Sequence, residues 1–181
     1  FNPASDILEG IEKTEKTIGE RKTKVRDFEN AASQRRLELM QSLKETETME
    51  DTDPMNDLQA ELSKMVDDAY RLDIASFEGD RSAYNKKQSD LNNVLGNLPT
   101  IMGLIDAEGD AFKESVESGS PHAKNVLRDN NEDYVAFVED ASEGGKNIGF
   151  RIEGGNVIAQ LNGEDVFNAN AYIKAKKNGV D

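Results

Sequence analysis

The stretch ASDILEGIEKTEKTIGERKTKVRDFENAASQRRLEL, residues 4–39, decides how this chain is built. Every seventh residue from Ala4 gives Ala4, Ile11, Ile18, Val25, Ala32 and Leu39, an apolar row without a break. Three positions later the row is Ile7, Thr14, Arg21, Phe28, Arg35 and Ser42, which alternates between apolar and polar. A seven-residue period with one pure and one mixed row describes a long helix carrying a coiled-coil seam. Leu37, Met40 and Leu43 widen the stripe near its end. Ser5 or Asp6 can cap the start, and Glu9–Lys13, Glu12–Lys16 and Glu20–Lys24 are i,i+4 pairs worth about 0.3 kcal/mol each. Gly10 and Gly19 each cost about 1 kcal/mol relative to alanine and soften the first turns. The seam calls for another helix but does not say whether it comes from the same domain, a second copy or another protein.

Further along, residues 47–54 break the pattern, and Asp53 before Pro54 reads as a helix cap with proline in the first turn. Met55, Leu58, Leu62, Met65, Ala69 and Leu72 then repeat the three-four spacing. Two such helices joined by a short acidic turn form an antiparallel hairpin. Within it, Arg21 and Arg35 of the mixed row can reach acidic groups on the second helix.

The period weakens over Ser76–Ser89, a polar continuation or a loop, and returns at Leu91, Val94, Leu95, Leu98, Ile101, Met102, Leu104 and Ile105. This is the most apolar part of the chain and the expected main core. Pro99 inside it implies two short helices or one kinked helix. Ser120-Pro121 opens a short helix through Leu127, and Tyr134, Val135, Phe137 and Val138 mark a further one that Gly144-Gly145 stops. Ile148–Ile152 and Val157–Leu161 are strand-like runs about the turn Glu153-Gly154-Gly155-Asn156. Asn162-Gly163 is a second turn and Val166-Phe167 a third short strand, after which Asn168 caps a terminal helix over Ala169–Lys177, with Gly179 beyond. The expected fold is mainly α, a long heptad helical hairpin plus shorter helices with a small C-terminal antiparallel β-hairpin unit. Its expected segments are 1–90, 91–145 and 146–181.

Composition narrows the function classes. Of the 181 residues 36% are apolar and 32% charged, against roughly 45–50% and 25% in ordinary globular proteins. The shape is expected to be elongated, or the core to be completed by partners. Net charge is −14, and residues 51–145 hold 21 acidic but only 8 basic side chains. Such a field repels phosphate backbones, so no direct nucleic-acid partner is expected. There is no cysteine, which removes disulfides, thiolate metal sites and thiol nucleophiles. No run approaches a membrane span, and Phe1-Asn2-Pro3 carries no charged-then-apolar signal pattern.

Catalytic constellations are thin. His122 is the single histidine, placed at a polar helix start, so histidine-based dyads, triads and zinc sites lack a second member. Acidic pairs such as Asp67-Asp68 and Glu132-Asp133 arise by chance among 36 carboxylates and read as solvated helix surface. Asp106, Glu108, Asp110 and Glu117 fall at calcium-loop positions 1, 3, 5 and 12, as do Asp129, Asn131, Asp133 and Asp140, the second set lacking the glutamate of position 12. At position 6 stand Ala111 and Tyr134 instead of glycine. No enzyme activity, cofactor or resident metal is expected, with the first acidic set the better calcium candidate. The binding surface is expected on the helical seam, at Ile11, Ile18, Val25, Phe28, Leu39, Leu58, Leu62, Met65 and Leu72.

The Ala4–Leu39 heptad together with Ile148-Gly149-Phe150-Arg151-Ile152-Glu153-Gly154-Gly155-Asn156-Val157-Ile158 resembles, in style rather than by a diagnostic motif, the structural and accessory proteins of tailed-bacteriophage virions. The resemblance implies a non-enzymatic head, neck or tail component, assembled in the host cytoplasm. It would be held by other virion proteins or by copies of itself, as a homo- or hetero-oligomer without nucleic-acid or membrane contact. The alternative is a helical-hairpin interaction protein of a bacterial surface, secretion system or filament.

Overall fold

The computed structural model describes residues 3–46, 53–119, 121 and 132–177. Among the described residues, five helices and three strands follow in chain order: α1 (Pro3–Glu45), α2 (Asp53–Ala75), α3 (Ser82–Ser118), α4 (Glu132–Ser142), β1 (Ile148–Glu153), β2 (Asn156–Leu161), β3 (Glu164–Asn168) and α5 (Ala169–Lys177). The chain is thus mainly helical, with two long helices and a small antiparallel sheet at the C-terminal end. The expected helix after Ser120-Pro121, the acidic turn at 47–52, His122, Asp129, Asn131 and Gly179 lie outside the described residues.

α1 spans 43 residues, about 65 Å at ~1.5 Å per residue. Its second half packs against α2 and buries Ala32 and Leu39. α2 answers with Leu58, Leu62, Val66 and Ala69, all fully or almost fully buried. Their spacing of four, four and three keeps them on one face.

A short turn reverses the chain into α3. Asp80 accepts hydrogen bonds from the Ser82 N–H at 2.9 Å and the Ser82 hydroxyl at 2.5 Å, fastening the new helix start. Ser76–Ser89 is therefore neither a plain continuation nor one loop, since the turn is short and α3 already runs from Ser82. α3 continues unbroken for 37 residues with Pro99 inside it. Proline there removes one helical hydrogen bond and costs about 3 kcal/mol. The helix persists because Leu91, Val94, Leu98 and Ile101, on both sides of Pro99, sit in one core. The boundary expected at 90/91 consequently falls inside a helix. At the far end Gly119, in the left-handed region at φ 68°, turns its N–H back to the Ser115 and Val116 carbonyls.

The sheet has the order β1-β2-β3, antiparallel throughout. Ile148 pairs with Leu161 and Glu153 with Asn156, and the β2–β3 ladder shifts register between Ala159 and Gln160. Gly154 (φ 59°), Asn162 (φ 52°) and Gly163 (φ 81°) take the left-handed conformations that these tight turns require. Asn93 of α3 donates to the Gly155 carbonyl at 2.8 Å and ties the first turn to the helix layer. Glu61 of α2 accepts the Ile152 N–H at 2.8 Å, occupying the outer edge of β1. Asn168 caps α5 by accepting the Ala171 N–H at 3.1 Å. One core joins these parts. Phe150, Val157 and Ala159 of the sheet and Ala169 and Ile173 of α5 meet Leu58 and Leu62 of α2, Leu91 through Ile101 of α3 and Phe137 of α4.

Candidate interaction surface

The seam residues divide into two sets. Leu39, Leu58 and Leu62 are buried within the chain, while Val25, Phe28, Met65 and Leu72 are half-buried. Ile11 and Ile18 are 49% and 50% exposed. Two neighbours outside the expected set, Ile7 and Leu8, are more exposed still, at 63% and 60%. Every residue from Pro3 to Lys24 is exposed. The expected seam is therefore closed by α2 only along the second half of α1.

Between the halves lies a latch. Arg35 donates to both carboxylate oxygens of Asp73, at 2.7 and 2.8 Å, and Arg81 donates to the same carboxylate at 2.9 Å. Arg81 also reaches the Ser76 hydroxyl at 3.0 Å. Asp73 is 1% exposed, so burial pushes its carboxyl up, but the hydrogen bonds from Arg35 and Arg81 outweigh this and hold it below the ordinary carboxylate value. The aromatic rings interleave with the cations. Phe28 lies tilted against Phe77 with ring centres 5.0 Å apart, Arg35 and Arg81 each sit 5.5 Å from the Phe28 ring, and Arg81 lies 4.5 Å over Tyr84. Arg21 closes the end by pairing with Glu78 at 2.8 Å. Both arginines of the mixed row thus find carboxylates, Arg35 on α2 and Arg21 just beyond it. A further pair, Arg36–Asp67 at 2.6 Å, takes Asp67 out of the plain solvated surface.

Past Arg21 toward the N-terminus every described residue of α1 is exposed. Residues 3–20 extend for about 27 Å. Thr14, Thr17 and Thr23 return their hydroxyls to the carbonyls of Gly10, Lys13 and Gly19. These back-bonds do not strengthen a helix, and Gly10 and Gly19 weaken it. Most helical stability in proteins comes from packing of an apolar face, and residues 3–24 are exposed throughout. At the root of the arm a shallow groove is lined by Ile18, Arg21, Lys22, Val25, Arg26 and Glu29, all from α1.

The calcium reading does not survive the fold. Asp106, Glu108, Asp110 and Glu117 stand on the continuous helix α3, where residues two apart point about 200° from each other instead of converging. Glu108 is turned to the Tyr134 and Tyr172 hydroxyls, which are themselves 2.7 Å apart. With Phe167 and Phe137 these rings knit α3, α4, β3 and α5 together. Among the described residues no group of three or more acidic or histidine side chains is placed to hold a metal, and no helix is long and apolar enough to cross a membrane.

Sequence reasoning missed the buried Asp73, although a signal existed. Leu62, Val66, Ala69, Asp73 and Ser76 continue one three-four stripe, so a carboxylate stands where the pattern demands burial. Comparison of the chain with protein-family models, curated proteins and solved structures found no match.

Proposed function

We propose that this chain is a non-enzymatic structural or assembly protein of a tailed-phage virion, a head, neck or tail accessory component that works through protein–protein contacts. The observation that carries the reading is the uncovered first half of α1. A helix presenting Ile7, Leu8, Ile11 and Ile18 to solvent gains stability when another surface closes over that row. The virion setting rests on the likeness in style of the heptad and the glycine-punctuated hairpin. With one histidine and no cysteine, the chain is also poor in the groups that most often serve as catalytic nucleophile and base.

The test is peptide mass spectrometry on purified particles of the virus that encodes the chain, with the native sequence and with Ile18→Asp. The native chain is expected in the particle in fixed stoichiometry, and the variant, folded but with a charge in the middle of the row, is expected to be depleted at least about tenfold, the equivalent of ~1.4 kcal/mol. Absence of the native chain from particles overturns the proposal.

A further inference from the structure

The exposed first half of α1 is neutral in sum but divided in charge. Residues 3–12, its tip, hold the acidic Asp6, Glu9 and Glu12 and no basic side chain. Residues 13–24, its root, hold Lys13, Lys16, Arg21, Lys22 and Lys24 against only Glu15 and Glu20. The tip is thus net −3 and the root net +3, and every one of these side chains is exposed. Two such arms laid side by side in opposite directions set each acidic tip along the other's basic root. Laid in the same direction, they set acid against acid and base against base.

The apolar rows make the same choice. In an antiparallel pair the pure row of one arm meets the mixed row of the other. With Ala4 level with the second copy's Arg21, Ile7 meets Ile18 and Ile11 meets Thr14. Leu8, one position past Ile7, flanks the contact. In a parallel pair each row meets itself, which sets Arg21 against Arg21 in the seam. The antiparallel arrangement also continues a contact already made within the chain. α2 covers the second half of α1 and runs antiparallel to it, since Arg36 meets Asp67, Arg35 meets Asp73 and Arg21 meets Glu78. That cover ends at Arg21. A second arm beginning there lies on the same row and runs in the same direction as α2.

Resting on the reading of the arm as an assembly surface, we infer that its partner is the arm of a second copy, laid antiparallel over residues 4–21, about 27 Å. The contact is isologous, so it closes at two copies and leaves the two folded bodies at opposite ends of the pair. Burial of Ile7, Ile11 and Ile18 supplies the holding contact, and the divided charge fixes the direction.

Light scattering on the purified full-length chain over a wide concentration range tests the pairing. Mass is expected to rise from one chain to two and stop there, and Ile18→Asp should stay monomeric with an unchanged melt of the body. The variants E9K/E12K and K13E/K16E make the arm predominantly basic and predominantly acidic. At 0.01 M salt, where the screening length is about 30 Å, each alone should dimerise at least about tenfold more weakly than the wild type, and a mixture of the two should recover the dimer. Direction is read by oxidative crosslinking, which has no background because the chain lacks cysteine. Ile7→Cys mixed with Ile18→Cys should yield the crosslinked pair, whereas neither variant alone should. A wild-type chain that stays monomeric overturns the inference, as does growth past two copies, a mixture of charge variants that recovers nothing, or Ile7→Cys crosslinking to itself, the mark of a parallel pair. A monomeric chain that nonetheless enters particles leaves the virion proposal standing and removes only the second copy. A dimeric chain missing from particles does the opposite.

Discussion

From Val25 to Glu45, α1 is held by a closed aromatic and ionic latch and by Leu39 against α2, whereas from Pro3 to Lys24 the same helix lies open to solvent. Both halves carry the same apolar row at the same period. The difference lies in what stands opposite. α2 together with the turn to α3 is long enough to reach Arg21 through Glu78 and no farther. Periodicity specifies that a helix wants a partner, while chain length and topology decide how much of that want is met internally.

The contrast can be broken most severely at the covered half. Leu62→Ala, in the centre of the shared core, should lower stability by about 4 kcal/mol, read as a shift in the urea midpoint. Asp73→Ala leaves Arg35 and Arg81 without their carboxylate and should cost about 3 kcal/mol in the same measurement. Acid should act on the same joint. The folded Asp73 carboxyl titrates below its ordinary 3.8, so its contribution is complete above about pH 4 and is lost as pH falls through the lower folded value. Thermal melts between neutral pH and this range should show a drop in the wild type that Asp73→Asn reduces. Least of all should happen at the open half, where Ile11→Ala and Ile18→Ala are expected to leave the stability of the dilute monomer within about 0.5 kcal/mol. A larger loss there, in a chain shown to be monomeric, would mean that the arm folds back on its own body.

A second contrast sets the sheet against the helical layer. The exposed face of the sheet carries Arg151, bound to Asp165 on β3, and the guanidinium with Gln160 holds that carboxyl down to about 2. Arg151 is half-buried and Asp165 exposed, so solvent screens the pair, and Arg151→Ala should change the melting curve less than any core substitution named above.

Much of this fold was legible. The cap at Asn168, the turns at Gly154 and Asn162-Gly163, the stop at Gly144-Gly145 and both hairpin helices follow from local chemistry, in which a residue's own backbone preference or hydrogen-bonding group decides the outcome. Local chemistry left two short helices or one kinked helix open at Pro99, and burial on both sides of it, which outweighs a local penalty of about 3 kcal/mol, decides for the single helix. The calcium-loop spacing failed for a related reason. Four carboxylates at loop intervals mean nothing once the backbone between them is helical. At the candidate surface, Ile11 and Ile18 are readable as seam residues and Ile7 as the start of the mixed row, whereas Leu8 lies outside both rows.

The sequence by itself determined that α1 is one long helix with an apolar row, that a second heptad helix follows, and that a small antiparallel sheet closes the chain. These are consequences of period, caps and turns, which act over a few residues. Only the tertiary structure decided which part of the row is covered and that Asp73 is the carboxylate on which two arginines converge. Those outcomes depend on where the chain reverses and how far each helix runs before it does, and periodicity carries no information about distance across the fold.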